Sequence, residues 1–203
     1  MPLTTFEEEI YLRVLTGRIV GKAASDLGVN KLAVIAPGNI ICSSIAAATE
    51  ASFIDCSGGV TYHFLVKPGE NEAELAEKLV SFNPQTTLLQ FGGETPIEDN
   101  VKSFVNLMKQ IAKRNLPGDI IVHVRIFAAG GLIEAVKDAD VKKYLSSRNV
   151  FIYTVDFDKG KVILNKIKLN DEIKLVAISE YHLTLEHADL LNRSLKNRGI
   201  RFQ

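Results

Sequence analysis

The first thing this chain lacks is a charge of its own. Lys+Arg and Asp+Glu each number 24, so the formal net charge is zero. No global field draws it to nucleic acid or to an anionic membrane. It is poor in cysteine, with Cys42 and Cys56 alone, which excludes a disulfide framework and any C-x-x-C site. No uninterrupted apolar run reaches the roughly 18 residues of a membrane-spanning helix. The opening MPLTTFEEE is acidic, whereas a secretory signal runs from basic to apolar. These absences make the cytoplasm the expected location and disfavour both nucleic acid and membrane as partners. Also missing are a Walker A lysine motif, G-x-G-x-x-G, a G-x-S-x-G elbow, H-E-x-x-H and any zinc-ligand spacing. The sequence therefore names no cofactor, no metal and no reaction.

What is present is a core. Hydrophobic residues make up 46 % and charged residues 24 % of 203, the balance of a folded globular protein. No repeat, low-complexity stretch or Pro/Ser-rich linker divides the chain, so one α/β domain over residues 1–203 is expected. Phe6 to Leu27 reads as a helix, with Thr5 and Glu8 at capping-box spacing and Gly28 as its stop. Gly17 and Gly21 lie four apart on it, a spacing that permits close packing on another element. Lys31–Ala36 is a short apolar strand and Asn39 to Ala51 a helix. Ser52–Cys56 reads as a strand turning through Ser57-Gly58-Gly59 into a hairpin partner, Val60–Val66.

Asn71 to Phe82 follows as a helix, then strand Thr86–Phe91. The next helix carries Thr95 at the N-cap, Pro96 at the first helical position and Glu98 three past the cap. Its Val101, Phe104, Val105, Met108 and Ile111 repeat at helical spacing, which makes Met108 core filler. Ile120–Phe127 reads as a strand and Leu132 to Leu145 as a helix. Strands Val150–Phe157, Val162–Leu169 and Ile173–Ser179 follow, turning at Asp158-Lys159-Gly160 and Asn170-Asp171. A helix from about Leu185 to Asn197 stops at Gly199. Alternating β and α predicts a three-layer, Rossmann-like α/β fold: a mainly parallel sheet with a C-terminal antiparallel meander.

Three of these strands run into glycine before a helix: Pro37-Gly38-Asn39, Phe91-Gly92-Gly93, and Phe127 into Gly130-Gly131. Strand, glycine turn and helix together present backbone N–H groups at the carboxyl edge of a parallel sheet. That predicts a site for an anionic ligand such as a nucleotide, phosphate ester or carboxylate. Its candidate residues are Gly38, Asn39, Gly92, Gly93, Glu94, Thr95 and Gly130. A helix terminus contributes about 0.3–1 kcal/mol toward an anion, and millimolar binding needs about 4 kcal/mol, so a side-chain cation is required. Arg125 is the candidate, set in an apolar strand where period two places His123 on its face. A buried guanidinium needs a partner, and Asp55, Glu94 and Asp156 are the candidate counter-charges. Asp55 or Glu94 is also a candidate acid/base, hydroxyl ligand, or joint holder of magnesium with a ligand phosphate.

Other residues have plainer readings. Cys56 and His63 could pair as nucleophile and base across the expected hairpin; a hairpin with a charged tip needs neither. His182 and His187 are five apart and share no helical face. Asp138 and Asp140 read as a solvated turn. Arg193, Lys196, Arg198 and Arg201 read as complements of a helix C-terminus. The rival to ligand binding is a non-catalytic oligomeric assembly or regulatory module, a homo-oligomer formed through a sheet edge or the glycine face of the first helix.

Overall fold

The computed structural model describes residues 3–169 and 173–197. The Asn170-Asp171 turn, Gly199, Arg198 and Arg201 lie outside the described residues. Helix α1 (Phe6–Ser25) opens with the expected capping box: the Glu8 amide donates to the Thr5 side chain and the Glu8 carboxylate accepts from the Thr5 amide. Strand β1 (Lys31–Pro37) is buried from Leu32 onward, as a strand covered on both faces must be.

Helix α2 (Ile40–Ser57) is longer than the sequence reading allows. Ser52–Cys56 is its last turns, not a strand. Phe53 is fully buried in the core and the Ser52 hydroxyl donates to the Arg18 carbonyl of α1, so tertiary packing outweighs the local strand signal. Gly58 is the left-handed C-cap at φ 64°, a glycine role easily read as a hairpin turn. Gly17 and Gly21 are spent on this same helix. A Cβ on Gly17 would lie 2.5 Å from the Ile45 carbonyl oxygen, and one on Gly21 2.2 Å from that of Thr49. The glycine pair thus seats α1 on α2 inside the chain, and cannot serve as the oligomer face. By length and hydropathy α2 meets the test for a membrane-crossing helix. In this fold Ile41, Cys42, Ile45, Ala46, Thr49 and Phe53 are buried.

Strand β2 (Val60–Val66) pairs parallel with β1, Lys31 against Val60 through Pro37 against Val66, so no hairpin exists there. Helix α3 (Glu72–Phe82), strand β3 (Thr86–Leu89), helix α4 (Ile97–Lys113) and strand β4 (Asp119–Val122) continue the alternation. Helix α4 buries Phe104, Met108 and Ile111 of its expected stripe, with Leu107 beside them, while Val101 and Val105 are partly buried. Its start differs by a residue: Pro96 is the N-cap and makes no side-chain capping bond, so the Thr95/Glu98 box is absent. Asn71, the N-cap of α3, likewise makes no side-chain capping bond. Asn71 instead accepts from the Lys67 amide and donates to the Leu65 carbonyl.

Strand β4 ends five residues early. The ring of His123 accepts a hydrogen bond from the Arg125 amide at 3.0 Å and caps a short helix, α5 (Val124–Ala128). The strand face expected to join His123 and Arg125 is therefore a helix cap. Asp138 splits the next expected helix into α6 (Gly131–Ala135) and α7 (Ala139–Ser146), accepting from the amides of Asp140 and Val141. The antiparallel meander follows as β5 (Val150–Asp156), β6 (Lys161–Leu169) and β7 (Ile173–His182), closed by α8 (Leu185–Asn197). Arg193 ties α8 to α1 through two bonds to Glu8, 2.8 and 2.9 Å, and so is structural.

The result is a three-layer α/β fold. Its seven-stranded sheet has the order β2-β1-β3-β4-β5-β6-β7, parallel through β5 and antiparallel beyond. Residues of α1 and α2 pack on one face, those of α3, α4, α6 and α7 on the other. After β1 the chain first moves outward to β2, then crosses back to β3. That reversal makes the carboxyl ends of β1 and β3 the topological switch point, where open α/β sheets leave a crevice.

Candidate functional site

At the end of β1, Asn39 caps α2 by accepting the Cys42 amide at 2.9 Å, with Gly38 exposed beside it. From β3 comes the Gly92–Thr95 loop. A Cβ on Gly93 would fall 2.6 Å from the Cys42 sulfur and 2.8 Å from Asn39 Oδ1; one on Gly92 would lie 3.6 Å from His123 Cε1 and 3.8 Å from Arg125 Cδ. Three strand exits therefore converge: Gly38–Asn39, Gly92–Gly93 and His123–Arg125. Gly93 has φ 68°, a conformation side chains resist.

The loop's carbonyls are tied inward. Arg125 donates Nη1 to the Gly93 carbonyl at 2.7 Å, and buried Asn100 on α4 donates Nδ2 to the carbonyls of Gly92 and Thr95 at 3.3 and 3.0 Å. Because a trans peptide holds N–H opposite C=O, the amides of Gly93 and Glu94 point away from those two anchors. Arg125 thus finds its partner in a backbone oxygen, and Asp156 bonds the Lys159 amide instead.

Beneath the loop lies a group that the sequence reading missed. Tyr153 on β5 is buried, its ring edge-on to His123 with centroids 5.4 Å apart, and its hydroxyl has no hydrogen-bond partner among the described residues. Burial pushes its phenol pKa up, opposed by the charge of Arg13. Burial likewise raises the Cys42 thiol, against the pull of the Asn39 bond, of Arg13 and Arg125, and of the Gly92 amide. Arg13 pairs with Glu9 at 3.1 Å. Gln90, just past the end of β3, donates to Thr49 at 3.0 Å, and its Oε1, like Asn100 Oδ1, has no hydrogen-bond partner among the described residues.

Not every candidate belongs here. Asp55 lies near the far end of α2, roughly 24 Å along the helix axis from Asn39, and is exposed. It lines a groove of about 900 Å³ with Cys56, Arg18, Tyr181 and His182. Any counter-charge, acid/base or magnesium role for Asp55 at the rim is thereby removed. Gly130 is the left-handed N-cap of α6, φ 77°, with open space where a Cβ would stand. Glu94 is exposed in the loop and Thr95 is partly buried. Cys56 is exposed at the end of α2, and His63 Nε2 has no hydrogen-bond partner among the described residues, so the nucleophile pair is not assembled. His187 is buried, bonded to Thr16 at 3.1 Å, and its pKa is held down at about 4 by burial and by Arg13.

Residues 9–190 match the model of a protein family described as "Uncharacterized protein", and the chain belongs to that family. A relative from Aquifex aeolicus (strain VF5), of the same description, is 28 % identical over 122 residues. The alignment covers 55 % of this chain and 58 % of that relative. Three solved structures share the fold. Two are solute-binding proteins of ABC transporters from R. palustris, in complex with 4-hydroxybenzoate (TM-score 0.55, 8 % identity) and with benzoate (TM-score 0.50, 12 % identity). The third, from Rhodopseudomonas palustris BisB5, is in complex with 3,4-dihydroxybenzoic acid (TM-score 0.54, 12 % identity). They match 84 %, 83 % and 84 % of this chain, which spans 65 %, 63 % and 65 % of their lengths.

Proposed function

We propose that this member of the family matched over residues 9–190 binds a small anionic ligand, a carboxylate in first place, in the crevice at the ends of β1, β3 and β4. One observation carries the reading: Arg125 and Asn100 hold the carbonyls of the Gly92–Thr95 loop, which turns the Gly93 and Glu94 amides the other way. Those amides and the Arg125 charge supply donors suited to a carboxylate or phosphate. Asn39 and Gly38 form the opposite lip, and Tyr153 contributes a hydroxyl donor below. The aromatic carboxylates of the three solute-binding proteins support the ligand class through a shared fold alone. The reading includes a single domain over residues 1–203 working in the cytoplasm, without nucleic acid or membrane; the balance of charge supports it.

The test is unfolding of the full chain with benzoate, 4-hydroxybenzoate, inorganic phosphate and nucleotides in parallel. A carboxylate at about 100 times its Kd is expected to add about 2.7 kcal/mol. Arg125→Ala should weaken binding roughly tenfold or more, the worth of a charge-assisted bond of about 1.5–3 kcal/mol. No stabilisation by any anion would overturn the reading. Unchanged binding by Arg125→Ala would remove that residue from it.

A further inference from the structure

Among the described residues the sheet ends in two unpaired edges, β2 and β7, and they are built differently. Strand β7 carries Lys174 and Glu180, and a register shift where Leu164 faces Ser179 and Asn165 faces Ala177. Charge and bulge are the devices by which proteins keep an edge from pairing. Strand β2, Val-Thr-Tyr-His-Phe-Leu-Val, has no charge, no proline and no register break along its full pairing with β1. Its Val60, Tyr62 and Leu65 are 59 %, 56 % and 54 % exposed. An edge strand left this open is a template for another strand.

The direction of its backbone groups defines what fits. The Val60 amide donates to the Asn30 carbonyl on the β1 side. Backbone groups alternate along a strand, so Val60, Tyr62, Phe64 and Val66 face β1, while Thr61, His63 and Leu65 face outward. At the far end Asn71 closes the edge, donating to the Leu65 carbonyl and accepting the Lys67 amide. Among the described residues that leaves the N–H and C=O of Thr61 and His63, and the N–H of Leu65, as the open groups.

We infer that β2 is an association edge whose partner is a second copy of this chain, joined antiparallel across a two-fold axis at Tyr62. In that register Thr61 of each copy stands opposite His63 of the other. Each such pair exchanges both of its backbone hydrogen bonds, so the four groups of Thr61 and His63 in each copy are used, the Leu65 N–H stands opposite Gly59 of the other copy, and the Asn71 clasp stays intact. The register is isologous, as a closed dimer requires. It sets the two Tyr62 side chains against each other, each already tilted against its own Phe64 and Phe82 at 4.6 and 5.8 Å. It also brings Thr61 of the second copy across from the His63 imidazole, whose Nε2 has no hydrogen-bond partner among the described residues. No like charges meet within the strand pair. The two sheets become one of fourteen strands, doubling the seven of a single chain.

Sedimentation equilibrium of the full chain across a concentration series tests this. A mass tending to twice 22.3 kDa is expected, with Tyr62→Glu sedimenting as a single chain because two carboxylates then face each other at the axis. Tyr62→Phe should remain dimeric, as should Val176→Glu on the β7 edge. Far-ultraviolet circular dichroism confirms that each variant is folded; if Tyr62→Glu is not, Thr61→Lys at the same edge replaces it. A single-chain mass at every concentration would overturn the inference. So would a dimer that survives the charge at a folded β2 edge, or one that Val176→Glu dissociates. The ligand reading stands or falls separately, because its test reads stabilisation by anions.

Discussion

The two ends of one parallel sheet treat their polar groups in opposite ways. At the amino end, side chains close on one another. Arg148 donates to the Leu116 carbonyl through Nε and Nη2 at 3.0 and 2.6 Å and to Asn115 Oδ1 at 2.9 Å, its guanidinium 4.1 Å from the Tyr144 ring centroid. Asn149 bonds both carboxylate oxygens of Asp119, and Gln85 accepts the Asn30 amide at 2.6 Å. The hydroxyls of Thr86 and Thr87 on β3 lack partners among the described residues, as do Glu50 Oε1 on α2 and His63 Nε2 on β2. At the carboxyl end a buried phenol and two buried amide oxygens, on Tyr153, Gln90 and Asn100, are left without partners among the described residues. Buried polar groups are satisfied as a rule, and exceptions call for a reason. The amino end is arranged for stability; the carboxyl end keeps capacity to bond something else.

Breaking the saturated end should give the larger effect on folding. Arg148→Ala removes five charge-assisted bonds, to the Leu116 and Asn115 carbonyls, Asn115 Oδ1 and the Ser147 hydroxyl, and a ring contact, and leaves the Leu116 carbonyl with Tyr144 alone among the described residues. A loss of about 2–3 kcal/mol is expected, seen as a lower midpoint in urea with an unchanged slope. Anion binding at the other end should be untouched. A ligand affinity that falls with this substitution would mean the two ends are coupled.

Gly93→Ala probes the carboxyl end through its backbone. The left-handed φ costs roughly 1–2 kcal/mol for a side chain, and the new methyl would meet Cys42 and Asn39 inside contact distance. The loop must shift, which re-aims the Gly93 and Glu94 amides. About 1–2 kcal/mol of stability is expected to go, together with a loss of anion binding larger than that in Arg125→Ala. Titration calorimetry reads the second effect. Full affinity in a folded Gly93→Ala would take the loop out of the site.

These contrasts also mark what could be read before the structure. The alternation of strands and helices was legible because apolar runs ended at glycine or proline, and the rim followed from the chain direction of β1, β3 and β4. What failed were boundaries decided by contacts distant in sequence or by a single side chain. Val122-His123-Val124-Arg125 alternates like a strand, yet the His123 ring captures the Arg125 amide and starts a helix. Ser52–Cys56 carries strand-like residues, yet Phe53 is committed to the core beside β1. Asp55 was assigned to the rim through that error, since a strand would end where a helix instead runs away. Cys42, Arg13 and Tyr153 carry no motif at all. They meet only because α1 lies over the sheet and β5 adjoins β4, and one sequence contains no signal of that.

The smallest expected effect discriminates best between the two ends, because one substitution is made twice. Tyr144 and Tyr153 are both buried, at 5 % and 3 % exposure. The Tyr144 hydroxyl donates to the Leu116 carbonyl at 2.9 Å, so Tyr144→Phe deletes a made bond and should cost about 1 kcal/mol. The Tyr153 hydroxyl bonds nothing within the described residues, and Tyr153→Phe removes a desolvated group while keeping the ring against His123. It should raise stability by up to about 1 kcal/mol in the absence of ligand. Opposite signs in parallel urea titrations would confirm that the ends differ in polar satisfaction and not merely in packing. Equal losses from both would mean that the Tyr153 hydroxyl is already paid for in the folded chain, and the carboxyl end would lose its claim to spare bonding capacity.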